Sequence, residues 1–235
     1  MKRFTLLLIL IVSNVKLLAQ NGFEYHQFSI GTGIGTTTAF GNTGTKVSKY
    51  AYNANVNYNV SPFLEASLEV QTGTLAGGLP TDFYARSFEN GYMAIIFHVD
   101  IQAGEIFDYS HSDVLNGLKN FYVGTGIGVL NNNITYIQTA VPPGTSNLTV
   151  YPYLPTSTNI LVPLRTGYEF KIYNGYDQPQ YRIDLGFSFY TALGKGLDGY
   201  TSLSSVKFYN YFNIGFKIGL GSTTTYRKPV PYYGL

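Results

Sequence analysis

Nine charged residues carry most of the chemistry this sequence offers: five acids (Glu65, Glu69, Asp100, Glu169, Asp184) and four bases (Arg165, Lys171, Arg182, Lys217). Glu65 and Glu69 are an even number of residues apart, as are Arg165, Glu169 and Lys171, and Arg182 and Asp184. Even spacing places them on one face of an extended strand, because successive side chains point to opposite sides. Such a row of charges supports either a gated ion path or a set of salt bridges filling a closed space. Near balance of sign suits the second, since an unpaired buried charge costs several kcal/mol. His98 stands two residues before Asp100, a pair that can orient an imidazole. No serine is placed in the sequence to serve as its nucleophile, and the remaining histidines, His26 near the start of the first segment and His111 in the connection after the fourth, fall in no loop at the outer end. The motif GTGIG occurs twice, at Gly31–Gly35 and Gly124–Gly128. Its spacing lacks the strand–helix context of a dinucleotide fingerprint. Duplication of a four-strand unit is a second reading, and the preferred third is glycine used on a crowded face.

The elements that must position these groups follow a period of two rather than 3.6. In the last segment Phe208, Asn210, Phe212, Ile214, Phe216, Ile218 and Leu220 share one face, against Lys207, Tyr209, Tyr211, Asn213, Gly215 and Lys217. The segment before it sets Tyr181, Ile183, Leu185, Phe187 and Phe189 against Arg182, Asp184, Gly186, Ser188 and Tyr190. Another sets Tyr52, Ala54, Val56, Tyr58 and Val60 against Asn53, Asn55, Asn57 and Asn59. Eight such segments succeed one another, each long enough for a spanning strand of about 9–11 residues. Tight connections at Val60–Phe63 and Tyr173–Gln180 alternate with longer Gly-, Pro-, Ser- and Thr-rich stretches such as Gln138–Thr158 and Leu197–Val206. Between Gly104 and Asn120, Ser112 is placed to cap a short helix ending near Lys119.

Composition narrows the class. The 235 residues are 16% aromatic and only 12% charged, with 26 Gly and neither Cys nor Trp. Average domains carry about 25% charge. Absence of Cys excludes disulfides, a thiolate zinc site, a cysteine nucleophile and a lipidated N-terminal Cys. Lys2 and Arg3 precede the apolar stretch Phe4–Val12, and Ala19 offers a small residue at a cleavage position. That order describes a secretory leader over residues 1–19. Its removal lowers Lys+Arg from 15 to 12 against 13 acids, turning a net charge of +2 into −1. No basic patch is left to argue for nucleic acid. A soluble sandwich also alternates, but the leader, the sparse charge and the uniform strand length favour an all-β, eight-stranded antiparallel up-and-down transmembrane β-barrel. The expected division is leader 1–19, barrel 20–220 and periplasmic tail 221–235.

With Gly31–Gly35, Phe121–Gly128, Val60–Phe63 and the closing Phe212–Leu220 strand in view, the chain resembles small outer-membrane barrels of the OmpA and OmpX type. It departs from OmpA in lacking a peptidoglycan-gripping domain and in carrying residues 221–235 after the last strand. The resemblance implies export to the cell outer membrane of a Gram-negative envelope and contact with outer-membrane lipid. It also implies a non-enzymatic structural or interaction role, such as an accessory subunit of a larger outer-membrane complex. No cofactor or metal site is expected. Because eight strands leave an interior only wide enough for side chains, the nine charges are expected to form a plug; the alternative is a narrow passive pore for ions or small solutes. A protein partner is expected at the outer loops or at the tail, where Tyr226, Arg227, Lys228, Pro229, Pro231, Tyr232 and Tyr233 read as an extended peptide ligand.

Overall fold

Side chains that alternate in polarity make strands with two unlike faces, and eight of them close on one another in chain order. The computed structural model describes residues 20–40, 43–79, 86–109, 112–139, 153–200 and 206–228. Its strands are β1 (Gln20–Phe40), β2 (Lys46–Ser61), β3 (Leu64–Gly77), β4 (Arg86–Gln102), β5 (Phe121–Thr139), β6 (Thr156–Tyr173), β7 (Pro179–Leu193) and β8 (Val206–Lys228). Every neighbouring pair is antiparallel, and β8 returns to pair with β1, so the sheet is a closed barrel. Closure pairs the strand edges that an open sheet leaves bare. The leader expected over residues 1–19 lies outside the described residues.

Local chemistry explains the connections at the end that carries both termini. Between β2 and β3 the Ser61 hydroxyl accepts a hydrogen bond from the Phe63 amide at 3.0 Å. Between β6 and β7 the Asn174 side chain accepts from the amides of Tyr176 (2.9 Å) and Gln178 (3.1 Å), an Asx turn. The β4–β5 connection holds two short helices, α1 (Ala103–Ile106) and α2 (Asp113–Leu118). Ser112 caps α2, accepting from the Leu115 amide at 3.4 Å. The Gly104 amide, donating to the Lys119 carbonyl at 2.7 Å, ties the start of this connection to its end.

β8 does not stop at Leu220, where the alternation of the sequence ends. It continues to Lys228, pairing Thr223 with His26 and Tyr226 with Phe23. A register shift between His26 and Phe28 gives β8 one extra residue, and Gly221 within that bulge has φ +78°. Most of the tail expected at 221–235 therefore begins as strand, in a ribbon with β1. The physical reason is backbone pairing, which continues through a bulge without side-chain alternation.

The connection after β7 also departs from expectation. Residues 197–200 turn back into the barrel mouth, with Leu197 and Asp198 each 1% exposed. Gly196 and Gly199 supply the positive φ angles this inward turn requires. The Asn90 amide group donates to the Leu197 carbonyl at 2.8 Å, and the Tyr200 hydroxyl donates to the Gln138 carbonyl at 2.8 Å.

Candidate functional site: the filled lumen

The inward side chains fall into three layers along the barrel. At the termini end lies an ion cluster. Glu65 of β3 contacts Lys217 of β8 at 2.6 Å and Arg182 of β7 at 3.0 Å. Glu169 of β6 faces Lys217 at 3.2 Å, Arg182 at 3.7 Å and Lys171 at 4.0 Å. Arg182 also donates to Asn59 at 3.0 Å, and the Gln102 amide donates to Glu169 at 3.1 Å. Below this cluster Phe63 closes the mouth. The Lys171 ammonium lies 4.4 Å from the Phe63 ring centroid and donates to the Pro62 carbonyl at 2.6 Å.

The middle layer gathers His98, Asp100, Glu69 and Arg165. His98 Nδ1 is 3.1 Å from Asp100, and Nε2 is 3.9 Å from Glu69. Arg165 reaches Asp100 at 3.3 Å and Glu69 at 3.6 Å. Asp184 stands apart: its carboxylate accepts from Asn213 at 3.4 Å and makes no ion pair among the described residues. Two pairs of opposite-charge neighbours that share a strand face are thus not ion pairs. Arg165 does not pair with Glu169, nor Arg182 with Asp184; Arg165 instead reaches Glu69 and Asp100, and Arg182 reaches Glu65.

The glycines of the repeated GTGIG motif make room for these groups. A Cβ at Gly126 would lie 2.7 Å from His98 Cα, and one at Gly31 would lie 2.9 Å from Lys217 Cγ. β1 and β5, which carry the motif, stand on opposite walls of the barrel. Crowding therefore accounts for both copies, and the backbone at neither turns into a helix of the phosphate-cradling kind.

The third layer, toward the loop end, is aromatic and apolar rather than charged. Tyr92, Tyr190, Tyr209 and Tyr211 are all buried, with Tyr190 and Tyr209 stacked at 4.6 Å between centroids. Above them Leu75, Phe88, Leu130, Leu161 and Leu197 complete a single apolar cluster. Charge reading alone overlooked this layer, although alternation had already put its tyrosines on the inward face. It also overlooked the buried pair of Lys207 and Asp198, 2.8 Å apart, whose acid sits in a loop without periodicity. All nine charges expected inside do lie on inward faces, but they occupy only the half of the lumen nearer the termini.

Ser67 is the direct strand partner of His98, a neighbour that spacing along one segment does not reveal. Its hydroxyl donates to Asn57 at 2.8 Å and to Glu65 at 3.1 Å. Ser67, His98 and Asp100 are each 5% exposed or less.

Of the residues expected to form a partner-binding tail, Tyr226 packs into the mouth. Its hydroxyl donates to Glu105 at 3.2 Å, and its ring meets those of Tyr25 and Phe63 edge-on, each at 6.4 Å. That occupation corrects the expectation for Tyr226. Arg227 and Lys228 end β8, while Pro229, Pro231, Tyr232 and Tyr233 lie outside the described residues.

Fold and lumen together define a small, filled, eight-stranded, antiparallel up-and-down β-barrel. No family model matches the chain, and no curated protein matches it. Among solved structures it is similar to Neisserial surface protein A at 12% identity and a TM-score of 0.49, over 86% of this chain and 100% of that one. It is also similar to the attachment invasion locus protein of Yersinia pestis at 12% identity and a TM-score of 0.42, over 85% of this chain and 100% of that one. For the outer membrane protein OprG from Pseudomonas aeruginosa the values are 10% identity and 0.37, over 84% and 98%. The likeness is one of fold alone, and closure of the barrel stands on this chain's own strand pairing.

Proposed function

We propose that this chain is exported to the outer membrane, spans it as a barrel, and serves a non-enzymatic structural or interaction role in the envelope. One observation carries the reading: the two faces of the wall are inverted relative to a water-soluble protein. Outward residues such as Phe28, Ile95, Phe97, Leu164 and Ile214 are 49–65% exposed, while the ion cluster and tyrosines are sealed inside. A continuous apolar surface of this kind is far larger than soluble monomers display. In lipid it matches the outward band, about 25 Å tall, of a transmembrane barrel. The termini and tight turns then face the periplasm and the longer loops face outward, as is usual for such barrels.

A lumen filled by ion pairs at one end and stacked tyrosines at the other supports a rod rather than a conduit. His98 and Asp100, sealed between those layers, offer no surface to a substrate. The remaining surfaces for a protein partner are the outer loops and the segment after Lys228, which fits an accessory subunit of a larger envelope complex. Boiled and unboiled samples of the membrane fraction test the placement, with a mobility shift expected in the outer-membrane fraction. Protein recovered unshifted from the soluble periplasm would overturn it. Planar-bilayer recordings are expected to be silent; steady conductance altered by Arg165→Met would favour a narrow passive pore instead. Deleting residues 229–235 and following a stoichiometric co-purifying protein tests the tail as the contact.

A further inference from the structure

An apolar groove of about 160 Å³ lies outside the lumen, against the β4–β5 connection. Phe107 at the end of α1, Leu115 and Leu118 of α2, and Phe121 of β5 line it, and all four are exposed. Phe121 is the first outward side chain of β5 and leads directly to Val123, Ile127 and Val129. The groove is therefore the lower continuation of the outward apolar wall. At its edge the Lys119 ammonium sits 5.1 Å from the centroid of the Tyr109 ring. Lys119 makes no ion pair among the described residues, and burial pulls its ammonium down from the ordinary lysine value. An anion beside it offsets that penalty.

We infer that this groove seats an acyl chain of one anionic phospholipid from the periplasmic leaflet, with the net negative charge of its headgroup held against Lys119. Three features converge on that occupant. The groove is continuous with the lipid-facing wall, its lining is apolar, and Lys119 at its rim, which makes no ion pair among the described residues, faces an anionic headgroup. Its volume suits a short stretch of methylenes rather than a whole lipid, so the remainder of the molecule stays in the leaflet. α2 contributes exposed Val114, Leu115 and Leu118 toward the apolar side while Asp113 and Asn116 remain available to water. The inference rests on the reading of the chain as a membrane barrel.

Because the chain contains no Trp, single tryptophans report position without background. Three full-length variants suffice: Ile127→Trp on the wall, Val114→Trp beside the groove and Tyr176→Trp in the β6–β7 turn. Each is reconstituted in phosphatidylethanolamine vesicles containing phosphatidylglycerol with brominated chains, and folding is checked by heat-modifiable migration. Quenching is expected at Ile127→Trp and Val114→Trp and not at Tyr176→Trp. Adding Lys119→Glu to Val114→Trp is expected to weaken the apparent affinity for brominated phosphatidylglycerol about fivefold, the worth of one cation near an anionic surface. The same change should leave quenching by brominated phosphatidylcholine as it was, and Lys119→Arg should restore the selectivity. Quenching on the wall without quenching at Val114→Trp overturns the groove as a lipid seat and leaves the barrel reading standing. Equal quenching by both lipids, with or without Lys119, overturns the headgroup contact. Absence of quenching at Ile127→Trp strikes the membrane-barrel reading itself, and the groove inference falls with it.

Discussion

Glu169→Gln is the substitution from which the ion cluster predicts most. Glu169 is 1% exposed and faces Lys217 at 3.2 Å, Arg182 at 3.7 Å and Lys171 at 4.0 Å. Glutamine keeps the shape and can keep the contact with Gln102, so the charge is what changes. At an effective dielectric near 20, a unit pair at these distances is worth roughly 4–5 kcal/mol. Relief of the carboxylate's own desolvation returns several kcal/mol, and Glu65 stays in place to hold Lys217 and Arg182. The expected net loss is about 3–5 kcal/mol, the usual penalty for breaking a buried pair from one side. Urea unfolding of the refolded barrel in detergent, followed by circular dichroism and by the heat-modifiable band, measures it as a lowered midpoint at constant slope. The double variant Glu169→Gln/Lys217→Met removes opposite charges together and should recover most of the loss. A single-variant midpoint within about 0.5 kcal/mol of the parent would refute the reasoning, as would a double variant whose losses simply add.

Space, loop closure and titration supply three further tests. Gly126→Val should destabilise the barrel by several kcal/mol, since even a Cβ there meets the His98 backbone, whereas Gly117→Ala, with nothing within 4 Å, should stabilise α2 by about 0.5–1 kcal/mol; the same urea experiment reads both. Asn90→Ala removes donors to Asn132 (2.7 Å) and the Leu197 carbonyl (2.8 Å). A loss of about 2 kcal/mol from those buried groups should raise trypsin cleavage at exposed Lys195 roughly thirtyfold, and unchanged cleavage would deny Asn90 its part in holding the loop. Burial pushes the Tyr109 phenol up to about 12 from an ordinary 10.0. Because the folded value is the higher one, its contribution is complete below pH 10 and is lost as pH rises through about 12. A 295 nm difference titration between the parent and Tyr109→Phe should show that upper midpoint, and a midpoint near 10 would contradict the burial.

Much of the architecture is written locally. A period of two identifies the strands and their faces, Ser112 marks the start of α2, and Ser61 and Asn174 announce their turns. Those signals depend on side chains within a few residues of one another. What stayed hidden depends on the third dimension. Alternation assigns a face but not a partner, so it puts Arg165 and Glu169 on one face without showing that each is engaged from other strands. The tyrosine layer was hidden in the same way: Tyr92, Tyr190, Tyr209 and Tyr211 come from three strands and meet only after closure. Leu197 and Asp198 sit in a Gly-rich loop with no periodicity to direct it inward. The extension of β8 beyond Leu220 follows from backbone pairing across a bulge, where side-chain pattern is silent.

The distribution of charge between strands carries a consequence for assembly. Among the nine lumen charges, β1–β5 contribute only Glu65, Glu69 and Asp100, while every cation arrives with β6–β8. The two parts of the chain are thus unlike partners, the later one supplying all four of these cations together with Glu169 and Asp184. An unclosed sheet of the first five strands would hold Glu65, Glu69 and Asp100 without the Lys217, Arg182 and Arg165 that pair with them in the closed barrel. Correct completion is consequently proofread by electrostatics: only the later strands, docked in their own order and register, silence the charge that the earlier ones expose.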